Sequence, residues 1–258
     1  MPLAILISLF FLNFLTASMA QAERFLPRRM NETDRLITLQ ILGFGSASKI
    51  LANPFPLGGY PGFEIGVTTE YLQVQDLASL GDKSSRNREL NFNSFSVAKG
   101  LFYNIDTAFH FTPAFQKEDL SSYGGQVRWG FYEFPFIPGG LSLVLSRSDT
   151  NYGNLLNART LGRDIVATIV VEDVALYFGI GDANSAGTFS GGTQTGTATE
   201  STTDICASPT SYCNSSNEEL TQGHTLFGIN VSFNDFFASV EINRYFISSY
   251  SAKIGLRF

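Results

Sequence analysis

Charged side chains are scarce in this sequence. Asp, Glu, Lys and Arg make up 16% of its 258 residues, against about a quarter in an ordinary soluble domain. Aromatics reach 14%, with 24 Phe and 10 Tyr, so the shortage of charge does not signal disorder, which joins few aromatics to high net charge. Basic residues are the scarcer sign, 17 against 23 acidic ones. The resulting net charge of −6 excludes the positive footprint of a nucleic-acid binder. His110 and His224 are the only histidines, and neither stands at ligand spacing to the two cysteines, so no metal site is expected. Phosphate-cradling Gly-Lys loops, zinc motifs and dinucleotide fingerprints are missing too, and no cofactor is expected. After residue 22 there is no long apolar run, which excludes spanning helices of about 20 residues. What is abundant, Phe, Tyr and 24 Gly, suits a sheet protein with Gly-rich turns, and the length fits one sheet domain.

The first 22 residues carry no Asp, Glu, Lys or Arg. Leu3 to Leu15 is nearly all apolar, and Ala20-Gln21-Ala22 is an A-x-A pattern. Residues 1–22 therefore read as a secretory signal peptide removed after Ala22. The basic start of such a peptide is missing, and an uncleaved anchor is the alternative, although the stretch is short for a span. An exported chain meets an oxidising compartment. The close pair Cys206 and Cys213, in CASPTSYC, is expected to form a disulfide across a surface loop.

Residues 23–61 differ in character from the remainder of the chain. The segment opens basic, with Arg24, Arg28 and Arg29, and Asn31 to Asp34 offers several N-cap residues before Leu36, Ile37, Leu39, Ile41 and Leu42. This predicts a helix over 33–51, with a strand over 35–44 as its rival. Asn53-Pro54 ends whatever precedes it, and Gly58-Gly59-Tyr60-Pro61-Gly62 is a turn cluster.

From Phe63 the apolar pattern changes to period two. Phe63, Ile65 and Val67 begin it; Asn91–Leu101 is the second segment, with Lys99 on the apolar parity. Either Lys99 snorkels at a membrane edge or a bulge shifts the register. Further segments lie at Ile105–Phe111, Val127–Phe131, Leu141–Leu145, Ile165–Ile169, Val174–Ile180, Thr225–Phe233, Phe236–Ile242 and Tyr250–Phe258, ten in all. Long connections near 75–90, 114–124, 148–163 and 183–222 alternate with short ones at Tyr103-Asn104, Pro138-Gly139-Gly140, Glu172-Asp173 and Asn234-Asp235. The last hairpin, Tyr245–Ser249, is short where a long loop is expected. The stretch GTFSGGTQTGTATESTT reads as a surface loop with little to bury.

An export signal, ten alternating segments and a terminal Phe258 together resemble bacterial outer-membrane β-barrel proteins. The resemblance covers residues 63–258, about three quarters of the chain. It implies an all-β fold, a ten-stranded antiparallel transmembrane barrel over 62–258 with short periplasmic turns, longer outer loops and a long surface loop at 183–222. It also implies a place in the outer-membrane lipid and recognition by the barrel-assembly machinery through Tyr250, Ile254, Leu256 and Phe258, with Ala252 between them. The stretch SASKILANPFPLGGYPGFEIG resembles the pre-barrel region of the long-chain fatty-acid transporter family, in which the N-terminal segment plugs the barrel. That family has more strands and a much longer chain. Residues 23–61 are accordingly expected to be a periplasmic or lumen-plugging segment.

If the apolar parity faces lipid, the opposite parity puts Glu64, Glu70, Asp106, His110, Arg128, Glu241, Lys253 and Arg257 inside. Unpaired charges in a narrow interior are costly, so these should pair across it. They form either a structural network or a polar pathway or binding site. A surface protease of the omptin type would need an acid two residues before its His; Gln222 stands there ahead of His224. Neither His has the Ser two residues on that a barrel lipid hydrolase would use. No enzyme is expected. The leading expectation is an outer-membrane barrel for passage or binding of a small solute, an apolar one included. The alternative is a non-transporting structural or surface-interaction protein acting through its loops.

Overall fold

Ten antiparallel strands pair in sequence order, and the last closes on the first. The computed structural model describes residues 26–27, 30–52, 57, 59–83, 85, 88–113, 120–153, 155–190 and 215–258. The strands are β1 (Phe63–Gln73), β2 (Glu89–Gly100), β3 (Ile105–Thr112), β4 (Leu120–Glu133), β5 (Gly139–Tyr152), β6 (Leu156–Val171), β7 (Val174–Ser190), β8 (Ser215–Phe233), β9 (Phe236–Arg244) and β10 (Ser248–Arg257). A single α-helix, α1 (Glu32–Gly45), precedes them among the described residues, and a 3-10 turn (Gln75–Ser79) comes after β1. Among the described residues no helix is long and apolar enough to cross a membrane. The closed, all-β, ten-stranded barrel is the fold the period-two segments imply.

Alternation sets the two faces. On β9, Phe237, Ser239, Glu241 and Asn243 are buried, while Phe236, Ala238, Val240, Ile242 and Arg244 are exposed. The other strands obey the same rule, so the wall turns a band of Phe, Ile, Leu and Val outward and Ser, Thr, Gly and charged residues inward. Lys99 keeps the outward parity without a bulge, since the β1–β2 register is unbroken. Its ammonium bends back to the carbonyls of Tyr60 and Gly62 and lies over the Tyr60 ring; it snorkels. The one register shift in the described sheet is on β4, between Gly130 and Tyr132.

Three of the long connections are shorter than the apolar pattern suggests. The 148–163 stretch is almost all strand, because β5 runs to Tyr152 and β6 starts at Leu156. The 183–222 loop loses both flanks, to Ser190 on β7 and from Ser215 on β8. Past the lipid, the outer face of a hairpin meets water. The apolar half of the alternation vanishes there, while the backbone ladder continues. For the same reason β4 begins at Leu120, inside the expected 114–124 loop. Cys206 and Cys213 lie outside the described residues.

The helix is shorter than its predicted 33–51, and the rival strand is not formed. Asn31 caps it: its side chain accepts from Asp34 N–H at 2.8 Å, and the Asp34 carboxylate reaches back to Asn31 N–H. Glu32 and Asp34 also favour the positive end of the helix dipole. The helix stops because Ser46 satisfies the last turn, its N–H and hydroxyl both donating to Leu42 O. Gly43 lets the helix approach β7, where a Cβ would strike the Ser185 hydroxyl. Met30, Leu39, Ile41 and Leu42 are fully buried against Leu72, Leu90, Leu120, Tyr152, Leu156 and Phe189, at the loop ends of the strands, and against Leu77 in the 3-10 turn. Each such side chain contributes about 1.5–3 kcal/mol, ample for a helix of this length that would be marginal alone.

Candidate functional site

The inward faces of the strands carry the polar chemistry. At the seam, Glu64 on β1 accepts from Lys253 Nζ at 2.7 Å and from Arg257 Nη2 at 2.7 Å, both on β10. The Phe237 ring lies beside both cations, at 5.4 and 5.2 Å from its centroid. Glu70 lies 3.6 Å from the Lys49 ammonium, which also donates to the carbonyls of Gly45 and Ala47.

Glu241 is the most heavily used acceptor. It takes Ile50 N–H at 3.2 Å, Leu51 N–H at 2.8 Å, the Tyr177 hydroxyl at 2.8 Å and the Asn243 amide at 2.6 Å. Leu51 takes a positive φ of 43°, which turns two successive N–H groups toward one carboxylate. Tyr177 fits because β8 carries Gly228 beside its ring, where a Cβ would overlap the phenol. Near the short-turn end, both Asp106 oxygens accept from Leu57 N–H, at 3.2 and 3.0 Å. His110 sits 3.5 Å from the Ser48 hydroxyl. Arg128 is 1% exposed, and its three guanidinium nitrogens have no hydrogen-bond partner among the described residues.

Several inward polar groups escaped the sequence reading. Gln126 donates to Ser48 Oγ at 2.9 Å and to Lys49 O; it shares the inward parity but carries no charge to draw notice. His224 is buried. Its Nε2 is 2.9 Å from Asp164, and its ring stacks on Tyr245 at 4.2 Å. Lys49 lies ahead of the barrel, where period two says nothing. At the other end of the strands, Arg35 on α1 pairs with Glu218 at 2.7 Å, Gln40 with Gln222 at 3.1 Å, and Tyr152 OH donates to Leu42 O at 3.0 Å.

A water-sized cavity of about 30 Å³ lies between Lys49, Glu70, His110, Gln126, Arg128 and Lys253. It has room for roughly one or two water molecules.

A closed antiparallel wall with no free sheet edge, apolar outside and polar within, meets the demand that hydrocarbon places on backbone groups. Aromatic side chains ring it near the short-turn end, among them Phe63, Trp129, Phe131, Phe233, Phe236 and Phe258, in the manner of an interfacial girdle. The fold is that of a transmembrane β-barrel. By sequence, no protein-family model and no curated protein matches the chain. Among solved structures it is similar to Ail, the attachment invasion locus protein of Yersinia pestis. That match has 15% identity and a TM-score of 0.29, and it covers 76% of this chain and 97% of that one. It is also similar to Neisserial surface protein A, at 11% identity and a TM-score of 0.29, covering 82% of this chain and 97% of that one.

Proposed function

We propose that this is a non-conducting outer-membrane barrel whose pre-barrel segment, residues 23–61, acts as a plug, and which works through its external face. The observation that carries the reading is that residues 35–57 bond to inward groups of the wall, and that the space between Lys49, Glu70, His110, Gln126, Arg128 and Lys253 is only about 30 Å³. Ten strands alone enclose more room than the eight that side chains just fill. Contacts of the segment with inward groups along the wall support the plug: Arg35 with Glu218, Tyr152 with Leu42 O, Glu241 with Ile50 and Leu51, and Asp106 with Leu57. A resident solute would have to displace those bonds. The resemblance of 46–66 to the pre-barrel region of fatty-acid transporters points the same way. The polar extensions of β5 to β8 beyond the apolar band supply the external surface. The eight inward polar side chains named from the sequence act as a packing and anchoring network. Tyr250, Ile254, Leu256 and Phe258 serve as the assembly signal.

Conductance tests the plug. Mature protein in planar bilayers should give no steady channels, and a variant lacking residues 23–57 should give them. Steady single-channel steps from the full mature chain would overturn the reading.

A further inference from the structure

The strand register arranges outward residues in rows across β3 to β6. One row runs Phe109, Gly125, Arg147, Leu161. The next row toward the loops runs Phe111, Tyr123, Asp149, Arg159. Toward the short turns come Thr107, Val127, Leu145, Arg163, and beyond these Ile105, Trp129, Leu143, Ile165. The wall thus changes from wholly apolar to arginine-bearing within two rows. The row that carries Arg163 lies at mid-strand, and the rows that carry Arg147 and Arg159 lie on its loop side, away from Phe258.

Two features make this more than a polar edge. First, Asp149 holds two arginines at once. Its Oδ2 accepts from Arg147 Nε at 2.9 Å and its Oδ1 from Arg159 Nε at 2.8 Å. Both bonds use Nε, so neither consumes the paired Nη donors. The two side chains remain 53% and 58% exposed. Arg163, 67% exposed, lies one row below and pairs with Asp182. Three cations against two carboxylates leave one net positive charge. Second, Gly125 leaves a gap in the row beside Arg147. A groove of about 530 Å³ opens there, walled by Phe109, Tyr123, Val127, Leu145 and Leu161; its volume is that of a ligand site, about 300–1,000 Å³.

We propose that this face binds the phosphorylated glycolipid of the outer leaflet. A phosphate sits on the Arg147 and Arg159 forks, which match its geometry. An acyl chain lies in the groove over Gly125. Asp149 is a positioning residue that sets the two guanidinium groups side by side. The assignment to the outer leaflet rests on height, since Arg147 and Arg159 lie on the loop side of mid-strand. The proposal rests on the outer-membrane class and is independent of the plug.

Mature chain refolded from denaturant in detergent, hence free of native lipid, tests it by native mass spectrometry with bisphosphorylated lipid A or phosphatidylglycerol. One lipid A should bind, with about tenfold preference over phosphatidylglycerol. Arg147→Gln with Arg159→Gln should cut lipid A binding about tenfold or more, the loss of charge-assisted contacts. Arg244→Gln, an outward arginine on β9, should change nothing. If the double variant does not refold, Gly125→Leu decides, because it fills the groove and spares every arginine; it too should weaken lipid A. Equal binding of the two lipids, or lipid A binding unmoved by these substitutions, overturns the proposal.

Discussion

Replacing Glu241 with Ala should release the segment around Leu51 from the barrel wall. The carboxylate accepts four bonds, two of them from the consecutive N–H groups of Ile50 and Leu51. A hydrogen bond to a charged group contributes about 1.5–3 kcal/mol, and a buried donor left unpaired costs a similar amount. Losing both backbone anchors therefore weakens this attachment by about 3–6 kcal/mol. The apolar contacts of Ile50 with Val144, Val166, Tyr177 and Leu226 remain, so the barrel itself should stay closed. Hydrogen exchange coupled to mass spectrometry reads the effect directly. Peptides covering 47–52 should lose protection by a factor of about a hundred or more, at about 1.4 kcal/mol per tenfold, while peptides from β6 and β7 keep theirs. Glu241→Gln, which keeps an acceptor oxygen, should fall between. Unchanged protection of 47–52 in Glu241→Ala would refute the reasoning.

Deleting Phe258 removes one outward aromatic, worth about 1–3 kcal/mol, so refolding in detergent should survive, while surface levels in cells should collapse if the assembly machinery reads that residue; Ser251→Ala is the control. Gly228→Val should clash with the Tyr177 ring and lower the unfolding midpoint in urea, by about 1–3 kcal/mol in stability; a midpoint equal to wild type would contradict the fit. If Cys206 and Cys213 form the disulfide expected from their spacing, worth about 2–3 kcal/mol, Ser at both positions should leave heat-modifiable migration on gels unchanged. An epitope tag ahead of Leu26 should be accessible to antibody on intact cells, because Leu26 and Met30 pack with residues at the loop ends of the strands; exposure only after permeabilisation would place that end in the periplasm.

Strand number and facing were legible because lipid and interior demand opposite side chains at alternate positions. Val240 and Ile242 against Ser239 and Glu241 already state which way β9 faces. The same rule failed where its cause ended: Asn157 and Arg159 on β6, and Asp182 and Asn184 on β7, continue the ladder with polar groups on the outer face. The interior charges could be named by parity, but their partners could not. Asp106 meets a backbone N–H from Leu57, and Glu241 meets two more, and no periodicity announces a main-chain donor. Helix α1 announced its start through Asn31 and Asp34. Its end was hidden, because Ile50 and Leu51 prolong an apolar pattern after Ser46 has closed the last turn.

The Glu64 bridge bears on how copies of this chain avoid one another. Before the barrel closes, β1 and β10 are open edges, and an open edge can pair with any exposed strand. Every copy then offers an acidic edge, Glu64 and Glu70, and a basic one, Lys253 and Arg257, all pointing inward. Two β10 edges from different copies repel, as do two β1 edges. Edges of opposite sign attract, and within one chain they are tethered at high local concentration. Closure thus outcompetes intermolecular pairing by charge sign as well as proximity, and reversing the sign at Glu64 alone would leave β10 without the partner that distinguishes its own first strand from a neighbour's last.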